Sequence, residues 1–269
     1  RPVDMPSREA PPVAPPDARD VDSLNRGLEI LRCFRPPEGA LGLAEISTRL
    51  GIPRSTVQRL TETLVAHGFL RRLAGDRFQP DSACLVVGHA MLASCSIARA
   101  SRPILDELAA RHDVHAVLGV RERLGMLCLV HATARKAAPI GFLGVGMLLP
   151  MTATALGRSW LWAQSGSLQG EIIQRTKVER GEHGARTIPG LYRSFQELEE
   201  RGFCLASGEW LRDVFGVGTA VTLADGRSFG LACKVALPDS RKEQLGARLG
   251  AVLLDAAGRI RDAAVRLGD

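Results

Sequence analysis

Apolar residues return at helical intervals along the first hundred positions of this chain and then change rhythm. The segment "SLNRGLEILRCF", beginning at residue 23, carries Leu24, Leu28, Leu31 and Cys33 at near-helical spacing and predicts a first helix capped by Ser23 or Asp22. "PPEGALG" (36–42) breaks it. "LAEISTRLG" (43–51) predicts a short helix with Leu43, Ile46 and Leu50 inward and Gly51 as its stop. The next stretch, "GIPRSTVQRLTETLVAHGFLRR" (51–72), has two unlike sides. Stepping about 100° per residue puts Val57, Leu60 and Leu64 within a sector of about 60°, and Arg54, Ser55, Gln58, Arg59 and Glu62 on the other side. Gly51 and Pro53 precede this helix and Gly68 ends it. "FLRRLAGDRFQP" then reads as two short strands joined by a turn at 74–76.

From about Cys84 the chain is apolar and alanine-rich for some 30 residues, with Pro103 inside. This predicts a connecting helix to about residue 100 and a second helix over 102–112, broad enough in its apolar face for burial against another subunit or within a core. Beyond it the pattern alternates. "HAVLGVRE" and "MLCLVHAT" are predicted strands around a turn near 123–125. "GVGMLLPMTATALGRSWLWAQ" is a loop leading into a helix, and "LYRSFQELEERG" is a helix closed by Gly202. "FCLASGE", "VFGVGTAVTLADG" and "RSFGLACKVAL" predict three more strands, with Asp225-Gly226 marking a hairpin, and residues 240–267 a long terminal helix. The fold class is therefore α+β. No internal repeat is evident.

At 269 residues and 45% hydrophobic content the chain can bury two cores, so two domains are expected. No apolar run reaches the 18 or so residues of a membrane span, and the start lacks the apolar stretch of a signal peptide. Six of the 15 prolines fall in the first 20 residues, so residues 1–21 read as a disordered or extended arm. Cys33, Cys84, Cys95, Cys128, Cys204 and Cys233 form no C-x-x-C pair, and the histidines show no ligand spacing. Reduced thiols in a cytoplasm are expected, with no metal and no cofactor.

The net charge of +6 becomes informative through its distribution. Residues 49–77 hold Arg49, Arg54, Arg59, Arg71, Arg72 and Arg77 against Glu62 and Asp76 alone, which favours nucleic acid as the partner. Helix, helix, glycine turn, helix and hairpin is the order of a winged helix-turn-helix, whose second motif helix enters the DNA major groove. Arg54, Ser55, Thr56, Gln58 and Arg59 occupy its first turns. Arginine can grip guanine twice, glutamine can do so for adenine, and hydroxyls suit phosphates. Arg71, Arg72 and Arg77 on the hairpin are candidates for the flanking backbone or minor groove, Arg77 also for an ordinary solvated charge. No G-x-S-x-G, H-E-x-x-H or G-x-x-x-x-G-K-[ST] occurs, so the chain is not read as an enzyme. Two alternatives remain open: a thiol redox enzyme using Cys128, Cys204 or Cys233, and an assembly protein that binds nucleic acid without sequence preference.

Over residues 22–269 the chain resembles the IclR family of bacterial transcription regulators. The first helix "SLNRGLEILRCF", the helix-turn-helix "LAEISTRLGIPRSTVQRLTETLVAHGFL", the loop and helix "LLPMTATALGRSWLWA", and "ELEERGF" followed by "GE" at 208–209 carry the likeness in that order. The resemblance implies a winged helix-turn-helix over 22–82, a linker helix over 83–100 and a GAF-like α/β effector-binding domain over 101–269. It implies a dimer or dimer of dimers on a partly palindromic double-stranded DNA operator, with a small metabolite altering that binding. The family's effector pocket carries over to Gly146, Met147, Leu149 and Met151 beside Pro150, and to Asp213, Gly216, Val217 and Cys233, with Val235 as a further strand position. Two departures stand out. Ala220 replaces a usual proline, and "LACKVALP" stands where Ser or Asn is common, so a shift of one residue would turn Lys234 inward in place of Cys233. With Arg212 and Lys234 near the pocket strands, the expected effector is a small organic acid or aromatic catabolite.

Overall fold

A computed structural model describes residues 21–36, 38–141, 143–236 and 242–267. The proline-rich arm expected over 1–21 lies outside them except for Val21. The chain divides into two compact units between Ser94 and Cys95.

In the first unit, α1 (Asp22–Cys33), α2 (Leu43–Leu50) and α3 (Arg54–Ala66) enclose one core. A three-stranded antiparallel sheet completes it, with β1 (Leu41–Gly42) beside β3 (Arg77–Pro80) and β3 beside β2 (Leu70–Leu73). Ile30, Cys33, Leu41, Leu43, Ile46, Val57, Leu70 and Phe78 fill the centre. The hairpin and the two motif helices stand where the sequence pattern puts them; β1 is an addition. The face of α1 is a correction. Ile30 and Cys33 point inward, whereas Leu24 and Leu28 are 61% and 48% exposed. The helix starts after Val21 with no side-chain cap, and Asp22 pairs instead with Arg26 at 2.9 Å. Helix α4 (Ser82–Ser94) follows, with Leu85, Val86, Val87 and Met91 exposed. It ends at Ser94 rather than near residue 100, and α5 (Ser96–His112) begins two residues later and carries Pro103 without ending there.

The second unit is built on a six-stranded, fully antiparallel sheet in the order β6-β5-β4-β9-β8-β7. Its strands are β4 (His115–Glu122), β5 (Gly125–Thr133), β6 (Leu148–Pro150), β7 (Cys204–Ser207), β8 (Val214–Thr222) and β9 (Ser228–Ala236). One face is covered by α5 and by α8 (Lys242–Arg266), which an ion pair between Glu107 and Arg259 joins at 2.6 Å. The other face carries α6 (Ala155–Trp162). Helix α7 (Gly166–Arg201) packs behind α6. It is longer than the segment predicted from "LYRSFQELEERG" and is kinked at Gly181.

Helix α6 lies unusually close to the sheet because Gly218 and Gly230 sit beneath it. A Cβ on either would strike the carbonyl oxygen of Ala155 or of Leu156. The close approach matters because it brings the start of α6 down onto the strands that carry the site. Among the described residues, no single helix is long and apolar enough to cross a membrane.

Candidate nucleic-acid interface and ligand cleft

The turn between α2 and α3 is set by Gly51, whose φ of 65° lies in the left-handed region that side chains with a Cβ disfavour. Ser47 Oγ donates to the Ile52 carbonyl at 2.7 Å and holds the turn from the α2 side. Helix α3 then buries Val57 and Thr61, with Leu60 and Leu64 packed on the core. Its opposite side presents Arg54, Ser55, Gln58 and Arg59 fully exposed and Thr56 half-buried. No side chain caps the first turn of α3. Its leading N–H groups therefore stay available to an anion such as a phosphate.

Five of the six arginines of 49–77 divide by what they touch. Arg49 is a structural residue: it donates to both oxygens of Glu38 at 2.6 and 3.0 Å and to the Cys33 carbonyl at 3.2 Å. Arg77 donates to Glu45 at 3.3 Å and to the Ala40 carbonyl at 2.5 Å, so it braces β3 against the start of α2. Arg72 stands 3.6 Å from Glu62, which also accepts from Gln58 at 3.2 Å. Arg54 and Arg59 have no ion-pair partner among the described residues. These two guanidinium groups are the ones the fold leaves open on the outer face of α3.

In the second unit a cleft opens where the start of α6 meets β7, β8 and β9. Residues 153–155 and 206–208, with Trp210, Val214, Gly216 and Lys234, line about 240 Å³ of empty space that is partly open to solvent. Gly216 pairs with Lys234 across the two strands, so both face the cleft, and Val217 and Cys233 on the alternate positions face the opposite side of the sheet. The register with Lys234 inward thus replaces the one with Cys233 inward. Of the other positions carried over from the family, Leu149 and Met151 are buried in the apolar cluster beneath α6 and Met147 packs against it. Gly146 and Asp213 are exposed. Gly216 alone of the eight belongs to the cleft lining.

Lys234 is the chemical centre of this cleft. Its side chain is 2% exposed, and Nζ has no hydrogen-bond partner among the described residues. It lies 4.3 Å from the ring centroid of Trp210. Burial without a counter-charge pulls its amine down from 10.5 to about 7. Nearby, His115 Nδ1 and His131 Nε2 are 3.0 Å apart in a stacked pair, and the other ring nitrogen of His115 is 2.9 Å from the Ala138 carbonyl. Burial first, then the charges of His115, Arg102 and Lys234, keeps the His131 imidazole below its ordinary value. Among the described residues, no carboxylate lines the cleft.

A polar brace holds the Trp210 loop over Lys234. Arg158, 2% exposed on α6, donates Nε to the Thr152 carbonyl at 2.7 Å and Nη1 to Ser194 Oγ at 3.2 Å, and its Nη2 pairs with Glu209. Thr154 Oγ1 caps α6 by accepting from the Gly157 N–H. Thr154 and Ala155, at the start of α6, are part of the cleft lining. Trp210, Glu209 and Arg158 were not picked out from the sequence. A signal for Lys234 was present: small residues at 216, 218, 230 and 232 mark the sheet face under α6, and 234 continues their alternation.

The four buried thiols are poor nucleophiles. Burial pushes Cys128 and Cys204 up to about 12 and Cys33 up to about 11, and it raises Cys233 as well. The thiol redox alternative lacks the thiolate it needs.

Residues 23–74 match the family description "IclR helix-turn-helix domain", and residues 89–262 match "Bacterial transcriptional regulator IclR C-terminal". The chain belongs to the IclR family. Among relatives of this IclR-family protein, the HTH-type transcriptional regulator TsaQ1/TsaQ2 of Comamonas testosteroni is 29% identical over 209 residues, 75% of this chain and 73% of that one. The Pca regulon regulatory protein of Pseudomonas putida is 26% identical over 232 residues, 81% and 78% of the two chains. The crystal structure of an IclR family transcriptional regulator from Brucella abortus superposes with a TM-score of 0.82 at 30% identity, covering 92% of this chain and 94% of that one. A more distant fold neighbour (TM-score 0.70, 19% identity, 91% and 100% covered) is an IclR homolog from Microbacterium hydrocarbonoxydans complexed with 4-hydroxybenzoate. The relatives are transcriptional regulators rather than enzymes, and the present chain is an IclR-family regulator with a DNA-binding helix-turn-helix and a C-terminal ligand-binding domain.

Proposed function

We propose that this IclR-family protein binds a partly palindromic operator as a homodimer or dimer of dimers in the cytoplasm, and that a small organic acid in the second unit changes its operator affinity. Helix α3 enters the major groove, with Arg54 and Arg59 gripping guanines or phosphates, Gln58 reading a base edge, and Ser55 and Thr56 on the backbone. Arg77 contributes through its brace on the wing and its residual exposure to the flanking backbone. The effector binds over Gly216 and Lys234, while Met147, Leu149 and Met151 act from the apolar cluster outside the cleft lining. Gly146, Asp213, Val217 and Cys233 act from outside the cleft lining, the first two on adjoining loops and the last two through the sheet.

One observation carries the ligand class: a buried lysine with no hydrogen-bond partner among the described residues faces a cleft whose described lining holds no carboxylate. An interior cation needs a counter-charge, and an incoming organic anion supplies it. The 4-hydroxybenzoate held by the Microbacterium hydrocarbonoxydans homolog is an aromatic carboxylate and agrees with this class. Effector binding then favours one relative placement of the two recognition helices in the dimer, and operator affinity follows.

The test is fluorescence anisotropy with duplexes from the DNA upstream of the protein's own gene, at fixed salt, with and without a panel of small acids. Specific binding that Arg59→Ala weakens by about 1–3 kcal/mol, and that one acid shifts, is the expected result. Equal affinity for specific and scrambled duplexes, indifferent to every acid, would contradict it.

A further inference from the structure

We propose that the cleft takes up its carboxylate ligand together with one proton from solvent, which comes to rest on Lys234 Nζ, so that occupancy of this regulator depends on pH as well as on metabolite. The inference rests on the proposal that the cleft binds an organic acid, and it adds how the charge is balanced.

The geometry requires a proton. Lys234 Nζ is buried against the face of Trp210 with no hydrogen-bond acceptor. Among the described residues, the groups that face it from the neighbouring elements bring no negative charge. Strand β5 offers Cys128, held as the neutral thiol by burial, and His131; strand β4 offers His115. Arg102 of α5 stands near His131 and donates to its carbonyl at 2.8 Å. Strand β8 presents Gly216, and the start of α6 presents Thr154 and Ala155, none of them charged. On the overlying loop Glu209 is committed to Arg158, and Asp213 points to solvent. In the empty cleft the amine is therefore held close to neutrality, about 7 against 10.5.

A bound carboxylate reverses that balance. It brings one negative charge within reach of a desolvated amine and raises the amine's proton affinity, while the Trp210 face favours the ammonium over the amine. The step is R–COO⁻ + Lys–NH₂ + H⁺ giving the R–COO⁻···⁺H₃N–Lys pair; no covalent bond changes. Sign and window follow. Below about pH 7 the free protein already carries the proton, and affinity is flat. Above it each bound anion must recruit a proton, and affinity falls about tenfold per pH unit.

The experiment is calorimetric titration of the full chain at pH 8 with acetate, pyruvate and benzoate, each in three buffers of different ionisation enthalpy, and with benzamide as the uncharged analogue of benzoate. The expected result is that at least one acid binds with uptake near one proton and that benzamide binds at least tenfold more weakly than benzoate. Lys234→Met abolishes the uptake and most of the affinity. Lys234→Arg, permanently charged, keeps acid binding without uptake, and thermal melting establishes that both variants fold. Binding with no proton uptake, benzamide binding as tightly as benzoate, full affinity in Lys234→Met, or no binding by any of the three acids would each overturn the proposal. The two readings fail separately: acids that shift operator affinity without proton uptake sink this one alone, and proton-coupled binding that leaves the operator untouched sinks only the link to DNA.

Discussion

The two units of this protein treat cationic side chains in opposite ways. In the winged-helix unit Arg54 and Arg59 stand in solvent on a helix whose other side is core, and their hydration costs nothing to keep. In the second unit Lys234 is driven 98% out of water, with the Trp210 ring against it but no hydrogen-bond partner among the described residues. An exposed arginine keeps its charge under every condition and suits a permanently anionic polymer. A buried lysine can lose its charge and suits a partner that comes and goes. The contrast matches a constant DNA interface with a conditional ligand site.

The largest effect expected from breaking this arrangement lies in the brace above Lys234. Arg158→Leu leaves Glu209 without its partner and removes the donors to Thr152 and Ser194. A loss of roughly 3 kcal/mol is expected in urea denaturation of the second unit, near the lower end for a broken buried pair because Glu209 is a quarter exposed. The first unit's transition should stay in place. A loss under about 1 kcal/mol would mean that the Trp210 loop is held by something else.

How much of this was legible in the sequence follows from the range of the interactions. Helix α3 and its turn are fixed by neighbours within a few residues, Gly51, Pro53 and the Val57–Leu60–Leu64 stripe, and its exposed face could be read directly. The face of α1 could not. Of the predicted stripe Leu24, Leu28, Leu31 and Cys33, only Leu31 and Cys33 pack on the core, Ile30 joins them, and Leu24 and Leu28 stay exposed, a choice made by packing on the rest of the unit. The break at Cys95 was hidden because Pro103, the visible breaker, sits inside α5. In the second unit the strands were recognisable from their alternation, but a shift of one residue decides whether Cys233 or Lys234 faces the cleft. That choice is set by the close approach of α6 over Gly218 and Gly230, and α6 lies far from these strands in sequence. Arg158 and Glu209, 51 positions apart, meet only in the folded chain.

A second, intermediate effect sharpens the contrast through pH. An amine that titrates near 7 when folded and near 10.5 when unfolded binds its proton more weakly in the native state. Its penalty is therefore fully present below about pH 7 and is relieved as pH rises from there toward 10.5. Wild type should gain stability relative to Lys234→Met across that window, by up to about 1.4 kcal/mol per pH unit, in parallel urea titrations between pH 6 and 9. A difference that does not vary with pH would place the charge of Lys234 in water. The smallest effect concerns the first unit. Leu24→Ala should change its stability by less than about 0.5 kcal/mol, whereas Ile30→Ala should cost about 2–5 kcal/mol. Equal losses would restore the Leu24 face to the core.

Operator affinity measured by anisotropy, with the effective acid titrated into wild type and into Lys234→Met at pH 7, tests the central claim most directly. Both proteins should hold the specific duplex with the same affinity in the absence of acid, because Arg54, Arg59 and the α3 face are untouched. Wild type should then shift with acid while Lys234→Met stays where it was. A Lys234→Met protein that answers the acid as wild type does would contradict the account, since the buried cation would then have no part in sensing.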